Sequence, residues 1–178
     1  MDAREELKGI LIRRSILKGD FTLVSGRKSG YYINGKMTTL DARGLYLAAS
    51  LLLDRLEGLE CDAFAGPVIG ADPIIGALLA LSAERGLERG GLLIRKEAKG
   101  HGTGRLVEGD LREGMRVVVV EDVATTGGSL LRAAEAVAAG GGTVIGIHVL
   151  VDREEGATEN IAAAGYTFDS LFKVKELL

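Results

Sequence analysis

Two adjacent carboxylates, Glu121 and Asp122, stand three residues before a short run rich in hydroxyl groups and glycine, residues 125–129. The four residues before the pair, 117–120, are all valine, which is typical of a buried parallel strand. From Leu130 onward, apolar side chains recur at helical spacing. Ligands of open α/β sheets bind at the carboxyl edge, where such strands end and helices begin. The stretch 117–129 therefore predicts a binding site for a ribose phosphate.

The residue types of this stretch suit a phosphate on one side of a sugar and carboxylates on the other. The two glycines let the backbone approach a ligand, and the first helical turn and the hydroxyls can donate hydrogen bonds to phosphate oxygens. The carboxylates would repel phosphate, so we expect them to accept hydrogen bonds from sugar hydroxyls. The alternative is a buried strand with an acidic turn and a helix cap at Ser129. A Walker P-loop is excluded, because no Gly-Lys-Ser/Thr follows.

A second candidate segment, residues 95–109, follows an apolar strand and contains four glycines. Its basic residues are Arg95, Lys96, Lys99, His101 and Arg105. A glycine-rich loop can cover a site and then open again, and its cations would stabilise charge on a departing phosphate group. The alternative is a solvated surface loop, which the charge content alone favours.

Two further candidates are expected at the same edge of the sheet. Residues 66–73 join a predicted strand to a predicted helix, so their N–H groups can bind an anion, although an ordinary connection is equally well supported. Arg153 follows another strand, and its guanidinium group matches a carboxylate with two parallel hydrogen bonds. The alternative for Arg153 is a surface arginine paired with Glu154 or Glu155.

Composition limits the classes of protein. A chain of 178 residues, 47% hydrophobic and 26% charged, is long enough for one α/β domain with a sizeable core. A net charge of -3 argues against a general binder of nucleic acid or membrane surfaces. The single cysteine, Cys61, excludes an internal disulfide, and the charged start lacks the apolar core of a signal peptide, so we expect a cytoplasmic protein. His148 and Cys61 are expected to be packing residues rather than metal ligands or nucleophiles.

Strands and helices alternate along most of the chain, which predicts right-handed crossovers and a parallel sheet. Residues 21–40 are expected to form short strands and turns. The predicted helices are 3–17, 41–57 with Asp41 as cap, 72–85 with Asp72 as cap, 130–139 and 158–164. The predicted strands are 62–65, 92–94, 117–121, 143–151 and 166–172.

The stretch 117–129 resembles the phosphoribosyl pyrophosphate signature of the type I phosphoribosyltransferases, which is a hydrophobic strand, two acidic residues and a loop rich in Thr and Gly. Three further segments make the chain similar to the orotate phosphoribosyltransferases within that family: FTLVSGRKSGYYINGKMTTL at 21–40, RKEAKGHGTGRLVEG at 95–109 and VDREEG at 151–156. The resemblance implies one α/β domain over residues 1–178, of the type I phosphoribosyltransferase fold, in which helices flank a central, mostly parallel sheet. A small N-terminal hood would lie mainly within residues 1–40.

The resemblance also implies a reaction and a set of partners. The 5-phosphoribosyl group would pass from phosphoribosyl pyrophosphate to orotate, giving orotidine 5′-monophosphate and pyrophosphate in de novo pyrimidine (UMP) biosynthesis. Mg²⁺ would be the cofactor, held through substrate oxygens and water with no direct protein ligand. The protein would be a homodimer with shared active sites, because the loop at 95–109 reaches into the neighbouring subunit.

Individual residues acquire roles from the same resemblance. The catalytic residues would be Arg95, Lys96, Lys99 and His101. The residues that bind phosphoribosyl pyrophosphate would be Glu121, Asp122, Val123, Ala124, Thr125, Thr126, Gly127, Gly128 and Ser129. Orotate would contact Thr125, Arg153, Tyr31 and Tyr32, with Arg153 as the clamp for its carboxylate. A plain strand that packs its tyrosines is the alternative for residues 31 and 32.

Two positions depart from the family pattern. Val24 stands where better-known bacterial members have a lysine, and Gly70 stands where many members have one; Lys28 or Lys36 could compensate for the first change. Two other functions stay open. A phosphoribosyltransferase for another base would keep 117–129 but would not need Arg153 or the pattern at 95–101. A non-catalytic sensor of phosphoribosyl pyrophosphate would usually add a DNA-binding segment, for which 178 residues leave no room.

Overall fold

The computed structural model describes residues 2–22, 28–97 and 106–178. Its helices are α1 (Ala3–Arg14), α2 (Lys36–Thr39), α3 (Ala42–Arg55), α4 (Asp72–Glu84), α5 (Gly128–Ala139) and α6 (Ala157–Ala163). Its strands are β1 (Ile16–Thr22), β2 (Lys28–Ile33), β3 (Ala63–Pro67), β4 (Gly90–Ile94), β5 (Val107–Glu108), β6 (Arg116–Ala124), β7 (Thr143–Asp152) and β8 (Phe168–Lys173). A single 3-10 turn, Val174–Glu176, follows β8. Within these ranges, none of the helices combines the length and the apolar character that crossing a bilayer requires.

Six strands form the central sheet in the order β5-β4-β3-β6-β7-β8. The neighbours from β4 to β8 are parallel, and the two-residue strand β5 is antiparallel at one edge. Helices lie on both faces of this sheet, as the alternation of strands and helices predicts. The α/β fold class, with a mostly parallel sheet, is confirmed.

The four consecutive valines of β6 explain why both faces are covered. Val118 and Val120 pack with residues of α1, α3 and α4, whereas Val117 and Val119 pack with residues of α5 and α6. All four side chains are fully buried. Successive side chains of a strand point to opposite faces, so an uninterrupted apolar run requires a helical layer on each side.

The strand order reverses between β3 and β6. From β3 the chain crosses through α4 to β4 on one side, and it later returns to β6 on the other side of β3. Connections that leave adjacent strands in opposite directions open a crevice at the carboxyl edge, which is the usual ligand position of such sheets. This crevice lies beside the loop after β3 and beside the acidic end of β6.

The hairpin β1–β2 is a separate two-stranded sheet; together with helix α2 it is called the hood below, and it packs against the central sheet. The hairpin is antiparallel, with Ile16 opposite Ile33. A hydrogen bond of 2.7 Å between the hydroxyls of Ser15, the residue before β1, and Thr38, both fully buried, ties the start of the hairpin to α2. This connection fixes where the chain of β2 turns back toward the sheet.

Two helix starts test the capping predictions. Asp41 caps α3 as predicted, because its Oδ2 accepts a hydrogen bond of 3.0 Å from the backbone of Gly44. The prediction for Asp72 was wrong: Ala71 occupies the cap position, and Asp72 is the first residue inside α4. The side chain of Asp72 makes no capping hydrogen bond; its Oδ1 is buried without a partner.

Among the element boundaries that differ from the predictions, two have a clear physical cause. Helix α1 ends at Arg14 rather than near residue 17, because Ile16 already pairs with Ile33 in the hairpin. Strand β6 continues to Ala124, because its pairing with β7 runs as far as Ala124 opposite Asp152. The acidic pair therefore lies on the strand itself and not after it, and its two side chains point to opposite faces.

Candidate active site

Asp122 is packed between two glycines from different parts of the fold. A Cβ atom added to Gly35 of the hood would lie 2.6 Å from its Oδ2, and one added to Gly70 after β3 would lie 2.7 Å from its Oδ1. The residue is 6% exposed, and its Oδ1 accepts a hydrogen bond from the backbone of Val123. Contacts this close are tolerated because glycine has no side chain at either position.

Glu121 faces the other side of β6, toward the first turn of α5. Its Oε2 accepts a hydrogen bond of 2.7 Å from the hydroxyl of Ser129. Burial raises the pKa of Glu121 to about 7, while the Ser129 hydrogen bond opposes the rise. Burial also raises the pKa of Asp122, against the opposing charge of Lys36. The pair is consequently easier to protonate near neutral pH than ordinary carboxyl groups.

The turn 125–129 exposes the start of α5. Gly127 has a φ of 80° and is the cap residue, so that helix α5 begins at Gly128. A side chain at Gly127 would approach within 3.1 Å of Ile161, and the left-handed backbone disfavours one as well. The backbone N–H groups of this first turn form the kind of site that binds anions.

Of the three hydroxyl groups in this turn, one has a different partner from the one predicted. Ser129 is neither a helix cap nor free to donate to a phosphate, because its hydroxyl donates to Glu121. Thr125 is half-buried and Thr126 is exposed, and both line the cavity on the side of the hood. Asn160 of α6 donates to the backbone carbonyl of Thr126 and so fixes the turn from outside.

Two cavities meet at Asp122. The loop-side cavity, of about 660 Å³, is bounded by the loop 67–70, by residues 94–97 and by the start of α5. The hood-side cavity, of about 920 Å³, is bounded by Phe21 and Tyr32 of the hood and by residues Val123, Thr125, Thr126 and Arg153 of the sheet edge. Asp122 and Lys36 line both cavities.

Arg153 follows β7 and is 5% exposed, so it is not the surface arginine of the alternative interpretation. Its Nε donates a hydrogen bond of 2.9 Å to Oε1 of Glu155, which is one of the two partners that the alternative interpretation named. Its Nη2 lies 2.7 Å from the same oxygen without the geometry of a hydrogen bond. The guanidinium carbon lies 5.2 Å from the ring centroid of Tyr31. One carboxylate and one ring thus hold the guanidinium at the hood-side cavity.

The two tyrosines of β2 differ in their surroundings. Tyr31 is half-buried against Arg153, whereas Tyr32 is 39% exposed, lines the hood-side cavity and lies 5.8 Å from the ring of Phe21. Tyr32 and Phe21 give the hood-side cavity an aromatic wall.

The cationic segment begins at the end of β4. The backbone of Arg95 donates to Leu106, and its Nε donates to Glu108 at 2.9 Å, so Arg95 is held against β5. Lys96 lines the loop-side cavity. Lys99 and His101, the other two predicted catalytic residues, lie outside the described residues, as does Val24.

One cation of the site was missed by the sequence reasoning. Arg132 lies one turn along α5 from Ser129 and lines the loop-side cavity. A helix that starts at Gly128 places positions 129 and 132 on the same face, so the spacing could have indicated it.

Two residues with possible chemistry lie away from the site. Cys61 is 7% exposed and donates to the carbonyl of Ala63, in agreement with a packing role. His148 is half-buried within β7, with Asp169 at 3.9 Å, and burial lowers its pKa. Across residues 2–22, 28–97 and 106–178, no cluster of His, Cys, Asp and Glu side chains could hold a metal ion by itself.

Comparisons with known proteins identify the family. The family model of the phosphoribosyl transferase domain matches residues 83–170. The orotate phosphoribosyltransferase of Thermosynechococcus vestitus is 46% identical over 177 residues, which cover 99% of this chain and 93% of that protein. The chain belongs to the orotate phosphoribosyltransferase family.

Solved structures of orotate phosphoribosyltransferases have the same fold. The Mycobacterium tuberculosis H37Rv enzyme in complex with Fe(III) dicitrate is 36% identical, with a TM-score of 0.86 and coverage of 99% of both chains. The same enzyme in complex with 5-phospho-alpha-D-ribosyl 1-diphosphate gives 32% identity, a TM-score of 0.83 and coverage of 99% of both chains. The type I phosphoribosyltransferase fold is therefore confirmed over nearly the whole chain.

Proposed function

We propose that this protein transfers the 5-phosphoribosyl group from phosphoribosyl pyrophosphate to orotate, with release of pyrophosphate, in the synthesis of UMP. The family assignment supports the reaction. The observation that carries the assignment of the site is the position of Asp122, whose carboxylate forms the partition between a cavity lined by cations and a cavity lined by aromatic rings and Arg153. A sugar at this partition would have a leaving group on one side and a base on the other.

Phosphoribosyl pyrophosphate would be bound by residues 121–129. Glu121 and Asp122 would accept hydrogen bonds from the ribose hydroxyls, and the first turn of α5 would donate to the 5′-phosphate. The diphosphate would occupy the loop-side cavity, among Arg95, Lys96 and Arg132. This arrangement keeps the carboxylates beside the neutral sugar, with the anionic groups at the cationic and amide surfaces.

Orotate would occupy the hood-side cavity. Its carboxylate would pair with the buried guanidinium of Arg153, and its ring would lie against Tyr32 and beside Thr125. The base carries the one substrate carboxylate in the reaction, and Arg153 is the buried cation at this cavity. A phosphoribosyltransferase for adenine, hypoxanthine or uracil would have no carboxylate to place there.

Mg²⁺ is the cofactor that we propose, with the diphosphate and ribose oxygens and water as its ligands. The carboxyl oxygens of Asp122 and Glu121 at the loop-side cavity suit this ion as hydrogen-bond acceptors for its water. When bound, Mg²⁺ neutralises part of the charge of the diphosphate. The positioning of both substrates by the residues above supplies the rest, without a covalent intermediate on the protein.

A homodimer with shared sites would complete the proposal. Large apolar side chains are exposed on α1, α2 and α3, which contact one another, and Leu40 is 73% exposed. Burial of such a surface against a second copy is the usual way to remove it from water. Lys99 and His101 would then reach the loop-side cavity of the partner. Residence in the cytoplasm stays a prediction from the sequence.

The decisive experiment is the loss of orotate absorbance on addition of phosphoribosyl pyrophosphate and Mg²⁺. Adenine, hypoxanthine and uracil serve as controls for base choice, and omission of Mg²⁺ tests the cofactor. Consumption of orotate alone supports the proposal. Transfer to a purine or to uracil, with orotate untouched, would contradict the assignment of Arg153 and the hood-side cavity.

A further inference from the structure

Lys36 stands at the junction of the two cavities. It is the first residue of α2, and in the described part of the chain it is the one cation that lines both of them. Under the proposed function, the bond that breaks joins the ribose to the diphosphate, and the bond that forms joins the ribose to the base. Both bonds lie at this junction, so Lys36 is placed where charge changes during the reaction.

The structure explains why a cation reaches this point from the hood rather than from the loop after β3. A side chain at Gly70 would start 2.7 Å from Oδ1 of Asp122, and one at Gly35 would start 2.6 Å from Oδ2. Neither position therefore has room for a Cβ atom while Asp122 keeps its conformation. Position 36 is the next residue of the hood after Gly35. The long side chain of Lys36 brings a flexible ammonium group to the same carboxylate.

The contact between Lys36 and Asp122 is too loose to serve mainly in folding. Nζ lies 4.0 Å from Oδ2, and the lysine side chain is 47% exposed. Ion pairs of this exposure contribute little to stability. The lysine side chain has a flexible four-carbon stem and three N–H donors, so its ammonium group can move from the carboxylate to an incoming anion at a small cost in free energy. The alternative is a lysine that only neutralises Asp122, and that alternative is testable.

We propose that Lys36 is a catalytic residue, whose ammonium group donates a hydrogen bond to the diphosphate oxygen that leaves C1 of the ribose. This inference rests on the proposed function of the two cavities. In the reaction, N1 of orotate forms a bond to C1, and the C1–O bond to diphosphate breaks with its electron pair on the oxygen. The proton of N1 is released to water. Lys36 keeps its proton throughout and stabilises the charge that develops on the departing oxygen.

The test compares Lys36→Met with the wild type in single-turnover mixing of enzyme, Mg²⁺, orotate and phosphoribosyl pyrophosphate, so that product release does not mask the chemical step. We expect the rate to fall about 100-fold, the usual cost of one donor to a developing oxyanion. Lys36→Arg should retain more of the rate than Lys36→Gln. Lys18→Met is the matched control: Lys18 is an exposed lysine of the hood, on β1, that lines neither cavity, and its loss should leave the rate unchanged.

Calorimetry with two probes separates the leaving-group role from the neutralising role. Inorganic diphosphate with Mg²⁺ should bind at least tenfold more weakly to Lys36→Met, whereas orotidine 5′-monophosphate should bind within about threefold of the wild type. A lost rate with both affinities intact also supports the proposal, because the contact would then form in the transition state. A rate within threefold of the wild type overturns it. Equal weakening of both probes overturns it as well, since Lys36 would then act on Asp122 and the ribose.

Two controls keep the outcome attributable to Lys36. Circular dichroism and thermal unfolding check the fold of each variant; if Lys36→Met does not fold, the comparison of Lys36→Arg with Lys36→Gln decides the question. If the wild type itself leaves orotate unconsumed, the proposed function fails, whatever Lys36 does. If the wild type is active and Lys36→Met equals it, the inference on Lys36 alone is wrong.

Discussion

The hydroxyl of Ser129 donates a 2.7 Å hydrogen bond to Oε2 of Glu121 and so joins the first turn of α5 to the strand before it. Both residues were expected to face a ligand, yet they face each other. The contact makes the protonation of Glu121 depend on the position of the helix that is proposed to bind the phosphate.

Ser129→Ala should shift the pH dependence of phosphoribosyl pyrophosphate binding. The pKa of Glu121 is about 7, and the serine hydrogen bond lowers it, so removal of the hydroxyl raises the pKa further. The ionised carboxylate is the better acceptor for a ribose hydroxyl, so affinity should rise with pH through the pKa and should reach its plateau at higher pH in the variant. At pH 7 we expect a loss of roughly tenfold.

Calorimetric titrations between pH 6 and about pH 9 measure this shift. The wild type is measured beside the variant, because ionisation of the ligand is common to both and cancels in the ratio of affinities. Ser170→Ala, a serine of β8 distant from the site in the chain, is the control. A ratio that does not change with pH would show that the hydroxyl has no influence on Glu121.

Arg153→Ala should raise the orotate KM strongly. A buried bidentate contact to a carboxylate is worth roughly 2–4 kcal/mol, which corresponds to about 30- to 1000-fold. Affinity for phosphoribosyl pyrophosphate should change little, because that ligand contacts other residues. Steady-state kinetics with each substrate varied in turn measures both effects, and unchanged orotate kinetics would remove Arg153 from the base site.

Glu155→Gln tests how far orotate binding by Arg153 depends on the carboxylate that holds its guanidinium group. Glu155 accepts from Nε of Arg153 at 2.9 Å, so an uncharged amide in its place should hold the guanidinium less firmly without removing it. We expect an increase in orotate KM that is smaller than that of Arg153→Ala, on the order of three- to tenfold. An effect of Glu155→Gln equal to that of Arg153→Ala would mean that the guanidinium acts only when held.

Gly70→Ala should weaken phosphoribosyl pyrophosphate binding without unfolding the protein. The added methyl group would lie 2.7 Å from Oδ1 of Asp122, so the carboxylate must turn away from its present position. Gly76→Ala is a matched control in α4, since a Cβ atom there meets nothing within 4 Å. The control should raise the melting temperature slightly, because alanine favours a helix over glycine by about 1 kcal/mol. Calorimetry measures the affinity of both variants for phosphoribosyl pyrophosphate, and thermal unfolding measures their melting temperatures.

Complementation between subunits tests the shared site. Lys99→Ala and Asp122→Asn homodimers should each be nearly inactive, whereas a mixed dimer should have one site with both changes and one site with neither. Random mixing should restore about a quarter of the wild-type activity, since half the dimers are mixed and each has one intact site of two. No recovery in demonstrated heterodimers would place the loop within its own subunit.

Much of the site was predictable because its signals are local. The valine run of β6, the glycine turn and the helix after it follow one another within the stretch 117–139, and each has its own spacing. The start of β7 and the position of Arg153 after it are local for the same reason. The alternation of strands and helices then places both segments at one edge of the sheet.

The rest depends on contacts between distant segments. The approach of Gly35 to Asp122 follows from how the hood packs on the sheet edge, and that of Gly70 follows from the pairing of β3 with β6. No spacing in the chain encodes either contact. The partner of Ser129 depends on where α5 begins. The helix starts at Gly128, two residues before the predicted start, and this places the Ser129 hydroxyl against Glu121 of β6. The exact first residue of a helix thus decides which polar groups face each other.

The partition between the two cavities is one layer of side chains, formed by Asp122 and Lys36. Ligands on its two sides are therefore close enough to be joined by a short covalent linker. A single compound with a carboxylated ring at one end and a diphosphate mimic at the other would gain from the high effective concentration of its second half. This architecture favours bisubstrate inhibitors over compounds that fill either cavity alone.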